Sequence, residues 1–229
     1  MVHHREGRIR YYTMPEKVIP EKHLTMEPPD EDGCLKELAL MIVRSSRIVS
    51  PSKAPEQWNE IGKTREVRTI LKELERDGKV FQIDLDGWNT DVYCPTEDED
   101  IWTDIPEIKD QFVRFLAALD PVLWNRSLFK SIFENEYVWE IYKKKEDRKY
   151  GYYCLPIIYN GDYVGLIEPY LRNDGVLDIR SFHLFDDISE DEVFLELLKK
   201  ELERFMDYLE VKEIEDKSDH VSINKILLK

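Results

Sequence analysis

Cysteine is scarce in this sequence, and its distribution excludes two classes of small protein. The three cysteines, Cys34, Cys94 and Cys154, are widely separated along 229 residues. This odd number does not form the framework of a disulfide-stapled secreted domain, and the separations do not match the spacing of zinc ligands. We therefore expect reduced, mostly buried thiols that pack as small apolar side chains.

Long apolar runs are also missing. No segment approaches the roughly 18 consecutive apolar residues that a membrane-spanning helix needs. The first residues, Met-Val-His-His-Arg-Glu, lack the hydrophobic segment of a secretory signal. We expect a soluble, cytoplasmic protein that does not use a membrane as a partner.

Several catalytic and nucleotide-binding motifs are absent too. The sequence has no Walker phosphate-binding loop, no glycine-rich dinucleotide signature and no nucleophile elbow. His3-His4 has no third ligand beside it, and the alternation of His183 with Phe182 and Leu184 favours a hydrogen-bonded structural histidine. We expect neither a metal nor another cofactor.

Two groups of polar residues resemble catalytic arrangements. Gln82-Ile83-Asp84 would place an amide and a carboxylate on one face of a strand, but a solvent-facing strand edge explains it as well. Glu140 with Glu168, or Asp120 with Asp178, could serve in acid-base chemistry, although such pairs arise by chance in so acidic a chain. No catalytic residue is assigned from these patterns.

Positive charge is in deficit, and the deficit is uneven. The formal net charge is -15, with hydrophobic residues at 42% and aromatic residues at 11%, as in ordinary globular proteins. Residues 1–95 have a net charge of -2, whereas residues 96–229 have 18 Lys and Arg against 31 Asp and Glu, a net charge of -13. An acidic surface repels nucleic acid at long range, so any DNA binding must depend on local basic patches.

The first half of the chain predicts helix, helix, helix and hairpin in that order. Apolar spacing predicts a first helix capped by Asp30 or Asp32 and ending near Ser45, a short second helix over 52–60 and a third over 63–76, ended by Gly78. Two strands follow, over 79–84 and 90–95. This order is typical of a winged helix, a helix-turn-helix with a β-hairpin wing.

The second half predicts an antiparallel sheet. Aromatic and β-branched residues predict a meander of about four strands over 137–142, 152–159, 163–167 and 176–184, with turns at Asn160-Gly161 and at 172–175. The only concentrated basic run, 143–149, lies in the loop between the first two predicted strands. A short helix over 127–133 precedes the sheet and a long helix over 190–209 follows it.

The remaining segments are predicted as connections. Residues 7–13 form an alternating strand with no partner before it, and 14–24 form a short amphipathic connector. Residues 96–100 form an acidic linker, 105–118 are helical or extended, and 221–228 form a last strand or helix. The predicted fold is α+β: a remnant of a preceding wing and a linker (1–30), a winged helix-turn-helix domain (31–96), and an antiparallel sheet or barrel-like domain with a long C-terminal helix (97–229).

The third predicted helix is the candidate DNA-reading element. Arg65, Arg68 and Lys72 lie away from its apolar stripe, and such residues on a recognition helix contact guanine edges or phosphates. The alternative is an ordinary solvated face on which Glu66, Glu73 and Glu75 neutralise these bases. Charge alone does not separate the two.

A string of short motifs in the second half carries a family resemblance. The motifs are Pro121-Val-Leu-Trp-Asn-Arg126, the helix up to Phe133, the segment 137–142, Arg148-Lys-Tyr-Gly-Tyr-Tyr-Cys-Leu-Pro156, Gly165-Leu-Ile-Glu-Pro169 and Phe182-His183-Leu184. With the winged helix that holds Gly87-Trp88, they resemble the tandem winged-helix DNA glycosylases of the YcaQ/AlkZ type, which unhook interstrand crosslinks. The resemblance covers nearly the whole chain.

The resemblance implies double-stranded DNA as the partner, alkylated DNA as the substrate class, and no metal. It implies a concave, multi-domain surface that holds the duplex, with the basic loop contributing to it. The loop residues expected to bind DNA, in addition to those of the third helix, are Lys143, Lys144, Lys145, Arg148, Lys149, Tyr150 and Tyr152.

The chain also departs from the family pattern. We expect it to correspond to the C-terminal part of the family, so that residues 7–24 would be the end of a preceding winged helix. On this expectation the family's catalytic Gln-apolar-Gln or Gln-apolar-Asp segment would lie N-terminal to these residues, and Gln82-Ile83-Asp84 has similar letters in the wrong place. Asn125 and Glu168 stand where the family usually has Asp. We therefore expect no complete catalytic site.

Two functions follow from the sequence. The first is a DNA-binding winged-helix protein related to crosslink-repair glycosylases, which requires the basic residues to share one contiguous face. The second is a protein-interaction or regulatory module that kept the fold and lost the basic surface, and the net charge of -13 after residue 95 favours it.

Overall fold

A computed structural model describes residues 2–7, 9–27, 29–53, 55–104, 110–185, 188, 191–218, 220 and 223. Its helices are α1 (Glu21–Leu24), α2 (Glu31–Ser46), α3 (Thr64–Arg76), α4 (Glu99–Thr103), α5 (Arg126–Phe133) and α6 (Glu192–Tyr208). Its strands are β1 (Val2–Glu6), β2 (Ile9–Tyr12), β3 (Val80–Ile83), β4 (Val92–Pro95), β5 (Val113–Phe115), β6 (Leu155–Tyr159), β7 (Asp162–Leu171), β8 (Val176–Leu184) and β9 (Glu213–Asp216). The fold is therefore mixed α+β, as the sequence predicts.

The first core forms between α2, α3 and the hairpin of β3 and β4. Helix α2 begins at Asp30, whose side chain accepts a hydrogen bond from the N–H of Gly33 at 2.8 Å, the usual N-cap geometry. The residues buried in this core include Ala39, Leu40, Val43, Val67, Leu71, Leu74 and Val80. The predicted helices at α2 and α3 and the predicted hairpin are confirmed, because each buries one apolar face of the expected period.

The segment between α2 and α3 has less regular structure than predicted. Instead of a helix over 52–60, it holds one 3-10 turn, Pro55–Trp58. Trp58 is buried, and its indole N–H donates to the carbonyl of Ser50 at 3.0 Å. The indole therefore fixes the chain where propensity alone would have favoured a longer helix.

The second core lies under a five-stranded sheet of order β5-β6-β7-β8-β9. Neighbouring strands are antiparallel except β8 and β9, which are parallel. Helix α6 covers one face and buries Phe194, Leu198 and Leu202 against Ile157 and other sheet residues. A separate cluster packs Ile158, Tyr163 and Leu166 of the sheet against Phe129 of α5 and Tyr137, with Tyr150 at its edge, and the two clusters together are called the second core. The predicted strands over 152–184, the closing helix and the Asn160-Gly161 turn, with φ of 52° and 100°, are confirmed, apart from small differences in their bounds.

The predicted first strand of the meander, 137–142, is wrong. Tyr137 to Trp139 run without regular structure, and Glu140–Tyr142 form a 3-10 turn. Glu140 is buried and takes hydrogen bonds from a neighbouring loop, so this segment anchors a loop and does not pair with a strand. Alternating aromatic residues gave the same pattern that a half-buried strand would give.

Three connections also differ from expectation. Strand β2 has a partner, because β1 pairs with it as an antiparallel hairpin. The predicted acidic linker is folded into the 3-10 turn Thr96–Asp98 and helix α4, and buried Asp98 forms an ion pair with Arg47. Within the predicted helical or extended segment 105–118, the structure shows strand β5, and residues 105–109 lie outside the described residues. Nearly all of the predicted last element, 221–228, also lies outside them.

Helix α5 confirms the predicted helix over 127–133, and Asn125 is its N-cap. The Asn125 side-chain oxygen accepts a hydrogen bond from the N–H of Leu128 at 3.0 Å. Asn and Asp are about equally good at this position, so Asn125 in place of Asp preserves the cap. In the part of the chain that the structure describes, no helix is long and apolar enough to cross a membrane.

Candidate nucleic-acid interface

The exposed face of α3 is basic along its whole length. Val67, Leu71 and Leu74 point into the first core, which turns Arg65 and Lys72 toward solvent. Arg76 continues this face four residues after Lys72, and Arg68 lies three residues after Arg65, so the four cations follow helical spacing. Sequence reasoning missed Arg76, although the 3.6-residue period alone could have found it.

Two of the three acidic residues of α3 have partners away from its basic face. Glu73 pairs with Lys36 of α2 at 2.7 Å, and the Glu66 carboxylate accepts a hydrogen bond from the N–H of Lys63 at the helix start. The hydrogen bond from Lys36 lowers the pKa of Glu73, and the same hydrogen bond raises the pKa of Lys36. Among the described residues, no ion pair joins Glu66, Glu73 or Glu75 to a cation of α3.

One of the four cations is already engaged. The Nε atom of Arg68 lies 3.0 Å from Oδ2 of Asp91, which precedes β4, so this ion pair links α3 to the hairpin. Within the described ranges, Arg65, Lys72 and Arg76 form no such pair. The face therefore offers three uncommitted cations and one shared cation.

The tip of the hairpin is held against the second core. The indole N–H of Trp88 donates to the hydroxyl of Ser131 on α5 at 2.9 Å, and the ammonium of Lys53 lies 5.4 Å from the centre of its ring. Gln82 is not paired with Asp84. Its amide nitrogen donates to the hydroxyl of Tyr93 on the facing strand at 2.8 Å.

The basic loop, residues 143–153, is anchored by the buried carboxylate of Glu140. That carboxylate accepts hydrogen bonds from the N–H groups of Lys149 at 3.1 Å, Tyr150 at 2.8 Å and Gly151 at 3.3 Å. The ammonium of Lys143 lies 2.7 Å from it. Burial opposes ionisation, but the Lys143 hydrogen bond and the three backbone N–H groups outweigh it and lower the pKa of Glu140 to about 2.

Glu168 anchors the far end of the same loop. Its Oε1 atom accepts from the N–H groups of Tyr152 and Tyr153 at 3.2 and 3.4 Å. Gly151 lies so close to the side chains of Glu168 and Cys154 that a Cβ at this position would be 2.3 Å from Oε2 of Glu168 and 2.8 Å from Sγ of Cys154. Glu140 and Glu168 thus both anchor the same loop, each through hydrogen bonds from backbone N–H groups.

The predicted loop residues differ in what they present to solvent. Lys144 and Lys145 are exposed and form no ion pair among the described residues, whereas Lys143 is paired with Glu140. The Arg148 guanidinium lies 4.6 Å from the centre of the Tyr152 ring, which is 45% exposed. This stack presents a cation and an aromatic face together.

Lys149 and Tyr150 form a second cation-aromatic contact, at 4.7 Å. The Tyr150 ring is half-buried and packs edge-to-face against His183 and Phe185. A ring nitrogen of His183 lies 3.3 Å from the Tyr150 carbonyl, in keeping with a structural histidine. Tyr150 therefore fixes the loop, while Tyr152 is its exposed ring.

The two buried cysteines offer no activated nucleophile. Burial raises the pKa of Cys94 and of Cys154 to about 12, so both thiols stay protonated at neutral pH. These two are buried as expected, but Cys34 is exposed. Across the described ranges, no group of three or more His, Cys, Asp or Glu residues could hold a metal ion.

A mixed α+β fold with two separately placed groups of basic residues is compatible with a nucleic-acid-binding protein. The model of one family, DNA glycosylase AlkZ-like, matches residues 1–208. The chain belongs to this family, which confirms the resemblance carried by the motifs between Pro121 and Leu184 and relates the protein to DNA-repair glycosylases. No solved structure matches the fold.

Proposed function

We propose that this protein binds double-stranded DNA as a relative of the glycosylases that repair alkylated or crosslinked DNA. In this proposal residues 31–96 form a winged helix, α3 is its DNA-contacting helix, and residues 97–229 form the domain that presents the basic loop. No catalytic residue is assigned, because the family's Gln-apolar-Gln or Gln-apolar-Asp element has no counterpart outside the hairpin, where Gln82 bonds to Tyr93.

The observation that supports this proposal best is the charge on α3. Glu73 forms an ion pair with Lys36 and Glu66 accepts a hydrogen bond at the helix N-terminus, so neither forms an ion pair with Arg65 or Lys72 in the described structure. In a chain of net charge -15, an exposed basic face of this kind provides the local positive potential that an anionic partner such as DNA requires. Phosphate contacts of this type position a protein on a duplex.

The basic loop is the second contribution. Glu140 and Glu168 fix its backbone, so Lys144, Lys145 and the Arg148–Tyr152 stack would meet a duplex without much further ordering. The proposed contacts are Arg65, Arg68, Lys72, Lys143, Lys144, Lys145, Arg148, Lys149, Tyr150 and Tyr152, with Tyr150 acting through the loop.

A rival function has its own support. The net charge of -13 after residue 95 would disfavour DNA and favours a protein-interaction or regulatory module with the same fold. The two proposals differ in what they predict for salt, since binding to DNA releases counterions from the phosphates.

Binding to a labelled duplex should weaken steeply with salt. We expect fluorescence anisotropy titrations at several salt concentrations to give a log–log slope of about -3 to -5, since each neutralised phosphate contributes roughly -0.9. An unlabelled copy of the same duplex serves as the competitor that controls for binding to the label. Absence of binding at the lowest salt, or a slope near zero, would contradict the DNA proposal and leave the protein-interaction module.

A further inference from the structure

An aromatic cleft lies where the two cores meet. Its lining comes from the 3-10 turn before α3 on one side, and from the segment before α5 and the Glu140 turn on the other. Its volume is about 610 Å³, within the range of sites that hold small ligands. Its lining includes Gln57, Leu119, Trp124, Arg126, Trp139 and Tyr142.

The aromatic rings of this cleft are exposed and fixed in position. Tyr142 is 88% exposed and Trp124 is 39% exposed. The Trp124 indole N–H donates to the Leu119 carbonyl at 3.0 Å, and the Trp139 ring lies edge-on to Tyr142 and to Tyr153, at 6.0 and 5.5 Å. Exposed aromatic rings that line one cleft form the kind of apolar surface at which ligands bind.

The charge around the cleft indicates the kind of occupant. Arg126 and Glu56 are the two charged residues that line it among those described, and exposed Lys144 lies two residues after Tyr142, whereas Lys143 is paired with Glu140. Aromatic rings flanked by cations are the usual platform for unpaired nucleotides, because bases stack on the rings while the cations hold phosphates. A proline-rich peptide would use the rings but would have no use for Arg126 and Lys144.

Unpaired polar atoms also lie at the cleft. The Gln57 side-chain amide and the Trp139 indole nitrogen are buried without a hydrogen-bond partner among the described residues. Buried groups of this kind are costly to leave unpaired. An amide can bond in two places to the edge of adenine, so a base that displaced the residues covering Gln57 would meet a matching group.

We propose that this cleft binds an unpaired nucleobase of DNA, stacked on Tyr142 and Trp124, while the duplex is held by the basic surfaces. The inference rests on the proposed DNA binding and extends it to damaged or distorted sites, where a base already lacks its partner. Such a base enters a pocket at lower cost than a paired one, since little stacking or pairing is broken. The cleft would thus favour distorted over intact DNA.

The test compares three labelled duplexes that differ at one position: fully paired, with one extra unpaired adenine, and with an abasic residue in place of that adenine. We expect the protein to bind the adenine-bulged duplex roughly tenfold more tightly than the other two, as stacking of one base on an aromatic side chain implies. In Tyr142→Ala this preference should vanish while affinity for the paired duplex is unchanged. Tyr208→Ala, which removes an exposed tyrosine from α6, should keep the preference.

The contrary outcomes are distinguishable. Equal affinity for the three duplexes, or a preference that survives Tyr142→Ala, overturns the cleft proposal and leaves DNA binding in place. Failure to bind any of the duplexes overturns both proposals. Binding of a proline-rich peptide that is lost in Tyr142→Ala, without a bulge preference, assigns the cleft to peptides instead.

Discussion

Replacing Glu140 by alanine is expected to lower the free energy of unfolding by about 3 kcal/mol, because it leaves buried donors without an acceptor. The carboxylate is almost fully enclosed and takes three backbone N–H groups as well as the Lys143 ammonium. Lys143 can turn to water, but the N–H groups of Tyr150 and Gly151 lie on a loop packed against the second core. Much of the cost therefore falls on the fold itself.

Urea unfolding of the whole chain measures this change, and Glu146→Ala is the matched control. Glu146 lies in the same loop, is exposed and forms no ion pair among the described residues, so its removal should change stability by less than about 0.5 kcal/mol. Trypsin gives an independent readout, since a released loop exposes Lys143 to Lys149 to cleavage under native conditions. Equal stability and equal cleavage in both variants would contradict the anchoring role.

Acid should remove the difference between wild type and Glu140→Ala. The pKa of Glu140 is lowered from 4.5 to about 2, so its ionised form stabilises the fold above pH 4.5. As pH falls from 4.5 toward 2, the unfolded chain takes up the proton first and this contribution is lost. We expect the two unfolding curves to converge across that window, whereas Glu146→Ala should follow wild type throughout.

The elements that the sequence predicted are those whose signal is local. Helices α3 and α6 each present one apolar stripe of helical period, and Asn160-Gly161 accepts the positive φ that the turn requires. The hairpin was predictable because two β-rich segments flank a polar tip. In each case the side chains near in sequence decide the conformation, so no tertiary knowledge was needed.

The misses depend on contacts distant in sequence. Residues 137–142 have the alternation of a strand, but Glu140 is drawn to N–H groups ten residues later. Strand β9 has an acidic sequence without an apolar face that would mark it, and pairs with β8 where Glu215 meets Arg172 at 2.9 Å. The aromatic cleft also arises only when the two cores meet, so neither half of the sequence predicts it.

The basic face of α3 was predictable from sequence only in part. The cations of α3 follow from helical period, which places Arg65 and Lys72 opposite Val67 and Leu71. Their freedom from neutralisation does not follow, because it depends on Lys36 of α2 taking Glu73. Sequence alone left a basic and a neutralised face equally open, and the side-chain geometry favours the basic one.

Replacing both Arg65 and Lys72 by alanine is expected to weaken duplex binding about 60-fold near 0.1 M salt. Each phosphate contact contributes roughly 0.9 to the magnitude of the salt slope, so it strengthens binding by about 0.9 of a power of ten when salt falls from 1 M to 0.1 M. Loss of two such contacts therefore weakens binding by about 1.8 powers of ten, or about 60-fold. The salt slope should itself fall in magnitude by about 2. Both residues are exposed and unpaired in the described structure, so the fold should be unaffected.

Two comparisons make this result specific. Lys200→Ala with Lys217→Ala removes the same charge from ion-paired positions outside both basic surfaces and should change affinity less than about threefold. Arg68→Ala should cost less than Arg65→Ala, because Arg68 already shares its charge with Asp91. If the control pair weakened binding as much as the α3 pair, the effect would be one of net charge. Binding could then not be assigned to α3, because a contact at that helix requires a larger loss at its own cations than at distant ones.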